Sequence, residues 1–188
     1  MKSSTQITTA SYLQKLTKTL AHTNCEEMDR AIDVIEIVWR SGKQIITLGN
    51  GGSSMTALHF INDWNKSIYL SNKQPFRGRS LVDNVGLVMS YSNDISFADV
   101  FVEQLKNILQ PGDLVLAISG SGNSENVILA VEYANTNQAI SLGLCGYSGG
   151  KLKEIAQHVV WIDINDMQIV EDMHAIFGHI VMQRLCGF

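Results

Sequence analysis

Five short strand patterns alternate with helical patterns along the chain, and this alternation limits the fold more than any other feature of the sequence. The strand patterns lie at 44–48, 79–82, 114–118, 140–144 and 159–162. A strand that is apolar throughout, such as 114–118, is typical of a parallel sheet covered by helices on both faces. Parallel neighbours need crossover connections, which the intervening helices supply. We therefore predict an α/β fold with an open, doubly wound parallel sheet.

The helical patterns show how the rest of the chain is organised. They cover 9–22 and 26–41 before the first strand, and 53–69, 96–109, 124–135, 152–157 and 167–186 after it. Neither an internal repeat nor a Pro-rich linker divides the 188 residues, so we expect one domain, 1–188. In open α/β sheets ligands bind beyond the carboxyl ends of the strands. The loops that follow the strands are therefore the places to look for function.

The charge of the chain bears on its partners. Charged residues make up only 17% of the chain, whereas about 25% is typical, which is consistent with surface hidden in an oligomer. The formal net charge of −4 argues against a nucleic-acid binder, because such proteins usually carry a basic patch.

The cysteines and the apolar stretches indicate a compartment. Cys25, Cys145 and Cys186 are odd in number and widely spaced, which fits neither a disulfide framework nor a zinc finger. The N-terminus lacks the apolar stretch of a signal peptide, and no run of about 18 apolar residues occurs. We therefore expect a soluble, cytoplasmic protein with no membrane partner.

Two loops rich in glycine and serine follow two of the predicted strands. The first, 49–54, reads Gly-Asn-Gly-Gly-Ser-Ser, and the second, 119–124, reads Ser-Gly-Ser-Gly-Asn-Ser. Each opens a predicted helix, whose first backbone amides and positive dipole end attract an anion. Glycines let the backbone approach a ligand closely, and serine hydroxyls donate further hydrogen bonds. Together the loops favour a phosphate ester as the ligand.

The alternative is that both loops are ordinary strand-to-helix turns with serine caps. For a single loop of this kind that interpretation would be preferred, but two in one sheet favour phosphate binding. The second loop contains no lysine, so it is not a P-loop, and neither loop carries the dinucleotide fingerprint GxGxxG.

At these residues the sequence resembles the sugar isomerase (SIS) domain family, in its sedoheptulose-7-phosphate isomerase branch. The segments that carry the resemblance are 48–53 with 59–60, 92–94 with Phe97 and Phe101, 118–124, 146–152, and 171–174 with His179. They follow one another in the family's order from about residue 26 to the end of the chain. Any one of these motifs is weak evidence, but the ordered set is strong.

The resemblance implies a flavodoxin-like SIS fold, with a five-stranded parallel sheet flanked by helices. It also implies a homotetramer to which the N-terminal helices, about 9–41, contribute, with active sites built from adjacent subunits. The implied reaction converts D-sedoheptulose 7-phosphate to D-glycero-D-manno-heptose 7-phosphate, an early step toward the heptose of surface polysaccharides. No organic cofactor is implied, and some members of the branch bind one zinc ion per subunit.

The resemblance also assigns residues. The catalytic glutamate and histidine of the family fall on Asp63 and His179. The positions that would bind the substrate are Asn50, Gly51, Gly52, Ser53, Asp94, Ser119, Gly120, Ser121, Ser124 and Glu171. In zinc-binding members the metal positions fall on His59, Asp63, Glu171 and His179. The chain departs from the branch at Asp63, where glutamate is usual, and at Glu171, where glutamine is usual.

The spacing of the candidate residues is compatible with these roles. His59 and Asp63 are four residues apart and share one face of a helix. A surface His–Asp pair, with Phe60 and Trp64 on the buried side, is the alternative. Glu171 and His179 are eight residues apart, about 80° around the last helix.

The last helix carries two further titratable residues, Asp172 and His174. Asp172 is even closer in angle to His179, so the sequence leaves open which acid faces the site. His174 is expected to pack rather than to react.

The chemistry of these groups fits an aldose–ketose isomerase. A carboxylate can remove a proton from carbon while a histidine moves a proton between oxygens, with no cofactor. The nitrogen and oxygen donors of the metal positions are compatible with zinc, which would polarise a carbonyl.

Two other functions remain open at this point. The first is a phosphosugar-binding SIS protein without catalysis, acting as a sensor or as a partner of a replication initiator. The second is a lyase or etherase acting on a phosphorylated amino sugar. The presence of both Asp63 and His179 favours the isomerase.

Overall fold

The computed structural model describes residues 7–187, and its centre is a five-stranded parallel sheet with the order β2-β1-β3-β4-β5. The strands are β1 Ile45–Gly49, β2 Gly78–Ser80, β3 Leu114–Ser119, β4 Ile140–Cys145 and β5 His158–Trp161. Every neighbouring pair is parallel. The predicted α/β class and the doubly wound, five-stranded sheet are therefore confirmed.

Helices cover both faces of the sheet. They are α1 Thr9–Ala21, α2 Cys25–Arg40, α3 Gly52–Asn72, α4 Val85–Asp94, α5 Val100–Ile108, α6 Glu125–Thr136, α7 Gly150–Ile155 and α8 Met167–Cys186. The helix expected at 96–109 is a 3-10 turn, Phe97–Asp99, followed by α5. Between residues 7 and 187, no helix is both long enough and apolar enough to span a bilayer.

Helix α4 is a difference from the prediction, which left residues 85–94 without an element. The helix starts where the Asn84 side chain accepts a hydrogen bond from the Leu87 amide, at 3.2 Å. Within the described chain none of its side chains is buried, and Val85 and Met89 are more than 60% exposed. Tyr91 packs against the apolar core, but most apolar side chains of this helix stay exposed, so the usual amphipathic signal is weak.

Two apolar cores lie on opposite faces of the sheet. Successive residues of β3 point to opposite faces, so that Leu114 and Leu116 join one core and Val115 and Ala117 the other. Helices α2, α3 and α8 close the first core, and α5 and α6 close the second. The central strands β1, β3 and β4 are thus buried on both sides, which is why they are apolar almost throughout.

The strand order creates a switch point between β1 and β3. From β1 the chain proceeds to β2 on one side of the sheet, whereas β3 lies on the other side. Connections that leave in opposite directions open a crevice at the carboxyl ends of such strands. Because Gly49 pairs with Ile118, the two glycine- and serine-rich loops start at the same level and border this crevice together.

Candidate active site

The first loop ends at the N-terminus of α3. Gly51 adopts a positive φ of 53°, a conformation that glycine tolerates, and Gly52 begins the helix. In the described chain no side chain caps this end of α3, so its first amides are free for a bound anion. Ser53, in the first turn, is buried at 6% exposure.

The second loop folds back on itself before α6. The Ser119 hydroxyl donates to the Ser124 hydroxyl at 3.3 Å, and the Ser121 hydroxyl accepts from the Asn123 amide at 3.2 Å. Ser124 precedes α6, yet its side chain makes no capping bond within residues 7–187. Gly120 is buried behind these serines. The serine hydroxyls and the uncapped helix end therefore lie together, as an anion site requires.

A pair of asparagines joins the two loops. Asn50 and Asn126 exchange side-chain hydrogen bonds of 2.8 and 3.0 Å, and Asn126 is buried. The sequence interpretation missed Asn126. The available signal was a polar residue on the face of α6 that otherwise carries small and branched apolar side chains. The reciprocal pair holds both loops at a set separation across the crevice.

Three candidate acid–base residues meet between α3 and α8. The Nε2 atoms of His59 and His179 are 3.0 Å apart, and His59 Nε2 lies 3.6 Å from Asp63 Oδ2. The imidazole rings cross edge to face, with ring centroids 5.2 Å apart. Possible ligand atoms of all three residues lie within 4.8 Å of one another. We call these three residues the acid–base cluster.

The two acidic residues near the start of α8 face different neighbours. A Cβ atom added to Gly52 would come within 2.6 Å of Glu171 Oε1, so the Glu171 side chain lies over the start of α3. Asp172 instead accepts a hydrogen bond of 2.7 Å from the Tyr12 hydroxyl of α1. This bond, with the nearby carboxylates, raises the pKa of Tyr12 to about 12. Glu171 thus borders the first loop and is not one of the acid–base cluster.

Asp94, the substrate-binding position expected outside the two loops, is the last residue of α4. It is exposed and accepts a hydrogen bond from the Asn93 side chain at 2.8 Å. Among the described residues, this is the hydrogen bond that its side chain makes.

His174 lies in the core rather than at the crevice. It is 1% exposed, and neither ring nitrogen has a hydrogen-bond partner among the described residues. Burial lowers the pKa of His174 to about 4, and the backbone of Cys145 counters this effect only in part. The ring is therefore neutral at physiological pH and packs as a core side chain.

Comparison with known proteins gives consistent results. The model of the SIS domain family matches residues 10–146. A probable phosphoheptose isomerase of Thermoplasma acidophilum is 31% identical over 90% of this chain and 93% of its own length. A phosphoheptose isomerase of Rhodospirillum rubrum is 32% identical over 84% of this chain and 81% of its own length. The structure of a phosphoheptose isomerase from Francisella tularensis is similar in fold, with a TM-score of 0.89 at 21% identity, over 95% of this chain and 96% of that chain.

Proposed function

The chain belongs to the SIS domain family, in its phosphoheptose isomerase branch, and from this premise we propose that it interconverts D-sedoheptulose 7-phosphate and D-glycero-D-manno-heptose 7-phosphate. The observation that carries the proposal is the acid–base cluster, which shares α3 with the first anion-binding loop. His59 is seven residues from Gly52, about 10 Å along the helix. The reacting carbons of this substrate lie at the opposite end from its phosphate, so such a separation suits a long sugar phosphate.

The roles of the cluster follow from its chemistry. The Asp63 carboxylate takes the proton from C1 of the ketose, while His179 supplies a proton to the C2 carbonyl oxygen, which leaves an enediol. His179 then takes the proton of the C1 hydroxyl, and Asp63 returns its proton to C2, which completes the aldose. His59, hydrogen-bonded to His179, orients that ring and sets which nitrogen carries the proton.

The donor atoms of the acid–base cluster also fit a zinc ion, one per subunit. Two imidazole nitrogens and one carboxylate oxygen, with at least one side exposed, correspond to the three protein ligands of a catalytic zinc site. Bound zinc would act as a Lewis acid on the substrate carbonyl. Glu171, which the family resemblance adds to this set, lies over Gly52 and is assigned to the substrate instead.

We expect purified protein to contain about one zinc per subunit by elemental analysis. Because the ligands come from the cluster, His59→Ala should reduce the bound zinc, and removal of the metal by a chelator should reduce turnover. Absence of bound zinc together with activity that a chelator does not change would exclude this role for the metal.

Ser53, Ser119, Ser121 and Ser124, with the amides of Gly51, Gly52 and Gly120, would hold the phosphate. We expect Ser121→Ala combined with Ser124→Ala to raise KM about tenfold and to leave kcat within about threefold, because the phosphate is bound alike in ground and transition states. Ser41→Ala, whose hydroxyl donates to the Ile37 carbonyl at the exposed end of α2, is the matched control and should change neither constant. A loss confined to kcat would argue against a phosphate role.

The proposed activity is tested by incubating the purified protein with sedoheptulose 7-phosphate and following heptose 7-phosphate by NMR. Turnover supports the isomerase. Saturable binding of the substrate without turnover, measured by calorimetry, would instead favour the phosphosugar sensor.

We also propose a homotetramer in which the helices of about residues 9–41 contact other copies of the chain. Leu13 and Leu20 of α1 are 54% and 42% exposed, and Ile37 of α2 is 63% exposed, so an apolar surface is available. Light scattering should give four times the chain mass. Leu13→Asp combined with Leu20→Asp should give smaller species, whereas Lys18→Asp, on the other side of α1, should not.

The cytoplasm is the proposed location. Cys25, Cys145 and Cys186 are free thiols in the structure, as expected in a reducing compartment. Cell fractionation with an antibody to the protein tests this proposal.

A further inference from the structure

Helix α3 carries two kinds of residue side by side. His59 and Asp63 belong to the acid–base cluster, and each is followed by a large aromatic residue, Phe60 or Trp64. Both aromatic side chains are almost completely buried. Since successive residues of a helix are 100° apart, the aromatic pair faces the core next to the face that carries the acid–base groups.

The same arrangement occurs on α8. His179 belongs to the acid–base cluster, and the residue before it is the buried Gly178. A Cβ atom at Gly178 would overlap the ring of Phe60, so only glycine allows α8 to come this close to α3. This close contact between Phe60 and Gly178 lies one residue from His59 on α3 and one residue from His179 on α8.

Trp64 links the two helices by a directional bond. Its Nε1–H donates to the backbone carbonyl of Gly178 at 3.0 Å, in a fully buried position. The indole stacks on Phe60, with ring centroids 4.8 Å apart, and meets Phe76 edge to face at 5.8 Å. Phe76 holds the far side of the ring, so the indole has little freedom to follow α8 if that helix shifts.

Apolar contacts alone would not set the position of α8 so sharply. Stacked rings and ridges tolerate sliding of one helix along another, whereas a hydrogen bond weakens steeply with misalignment. A carbonyl oxygen has two lone pairs, so Gly178 can accept from Trp64 while it accepts within the helix. The bond therefore fixes both the rotation and the height of α8 at the residue next to His179.

We propose that Trp64 is a positioning residue for the acid–base cluster: through Gly178 it places the His179 imidazole beside His59 and Asp63. The kinetic part of this proposal rests on the proposed isomerase activity, and the geometric part does not. Trp64 itself is buried and does not reach the crevice.

The test compares Trp64→Phe with Trp39→Phe. Trp64→Phe removes the N–H donor and keeps a ring in the stack. Trp39 is the matched control, because it is equally buried and its Nε1–H donates to another backbone carbonyl, that of Pro75, at 3.2 Å. Its ring lies 6.3 Å from that of Phe76, so Trp39→Phe loosens the same aromatic group and leaves the bond to Gly178 in place. Both changes delete one buried hydrogen bond and part of one ring, so both should lower the melting temperature to a similar degree.

Crystal structures of the two variants provide the decisive measurement. In metal-free crystals of Trp64→Phe we expect the distance between the Nε2 atoms of His59 and His179 to exceed about 3.5 Å, beyond hydrogen-bond reach, and in metal-free Trp39→Phe to remain as in the metal-free wild type. We also expect Trp64→Phe to lower kcat about tenfold with KM within twofold, and to weaken Zn²⁺ binding, measured by calorimetry with Zn²⁺ alone, about tenfold.

An unchanged distance between the two imidazoles in Trp64→Phe would overturn the proposal, whatever the activity of the protein. If the wild type proves inactive but the distance lengthens only in Trp64→Phe, the positioning role stands and the isomerase assignment falls. If Trp64→Phe does not fold, benzothienylalanine at position 64 replaces the N–H by sulfur with the ring shape retained. The same distance then decides.

Discussion

Asp63→Asn should lower kcat by about a thousandfold or more. A positioned acid or base contributes about 10²–10⁴-fold to the rate. The amide has nearly the shape of the carboxylate but cannot take a proton from carbon. Its neighbour Asn62 already donates to the Asp63 carboxylate at 3.0 Å, so the side chain should stay in place. KM should therefore change little. The measurement is the initial rate with sedoheptulose 7-phosphate over a range of concentrations.

Matched variants separate this loss from general damage. Asp29→Asn makes the same chemical change at an exposed position on α2, and should retain wild-type rates. His179→Ala should lose as much activity as Asp63→Asn, and its control is His22→Ala at the exposed end of α1. Because the two residues act on one proton-transfer sequence, the double variant should be little worse than either single variant. Activity of Asp63→Asn within tenfold of the wild type would exclude Asp63 as the base.

His174 should make the fold sensitive to acid. Its pKa is about 4 in the folded chain, against an ordinary value of 6.5, so the unfolded chain binds the proton more readily. Above about pH 6.5 His174 is neutral in both states and does not affect the free energy of unfolding. As the pH falls from 6.5 toward 4, protonation of the unfolded chain lowers that free energy. At pH 5 the loss is about 2 kcal/mol in the free energy of unfolding.

His174→Leu removes the titrating group and keeps an apolar side chain in the core. In urea unfolding, the free energy of unfolding of the variant relative to that of the wild type should therefore rise by about 2 kcal/mol from pH 7.5 to pH 5. His22→Leu, at an exposed site, should follow the wild type at both pH values. Comparing variant and wild type at the same pH cancels the contribution of the carboxylates, and equal protein concentration cancels that of subunit association. If the difference in the free energy of unfolding between variant and wild type is the same at both pH values, His174 is protonated as easily in the folded as in the unfolded chain.

Much of the fold could be predicted because it depends on local pattern. The apolar pattern of each strand and helix indicates which of its faces is buried. The alternation of strands and helices along the chain is compatible with few sheet arrangements. Helix α4 could not be predicted, because most of its apolar side chains stay exposed in the single chain and only Tyr91 packs on the core. Its start at Asn84 depends on a side-chain cap, which is a weaker signal than periodicity.

On the last helix, α8, the local sequence pattern could not assign which acidic residue faces the site. The angular spacing along the helix left open whether Glu171 or Asp172 faces the site. In the structure the Asp172 carboxylate accepts a hydrogen bond from Tyr12 of α1, whereas the Glu171 side chain lies over the start of α3. Both contacts join residues more than 100 positions apart, and no periodicity within α8 contains them.

Phe60 and Trp64 illustrate the same division. In the sequence, their possible burial kept open the alternative that His59 and Asp63 form an ordinary surface pair. In the structure the aromatic residues are buried, and the polar pair faces His179, since the two pairs occupy adjacent faces of one helix.

The sequence by itself determined the α/β class, the two glycine- and serine-rich loops proposed to bind phosphate and the residue types proposed for the acid–base chemistry, because periodicity, glycine placement and side-chain chemistry are properties of short segments. Only the tertiary structure decided which groups meet: His59 and Asp63 with His179, Asn50 with Asn126, and Trp64 with Gly178. Each of these contacts depends on the separation of two packed elements. That separation is set by the whole core, including the absence of a side chain at Gly178, and not by either segment alone.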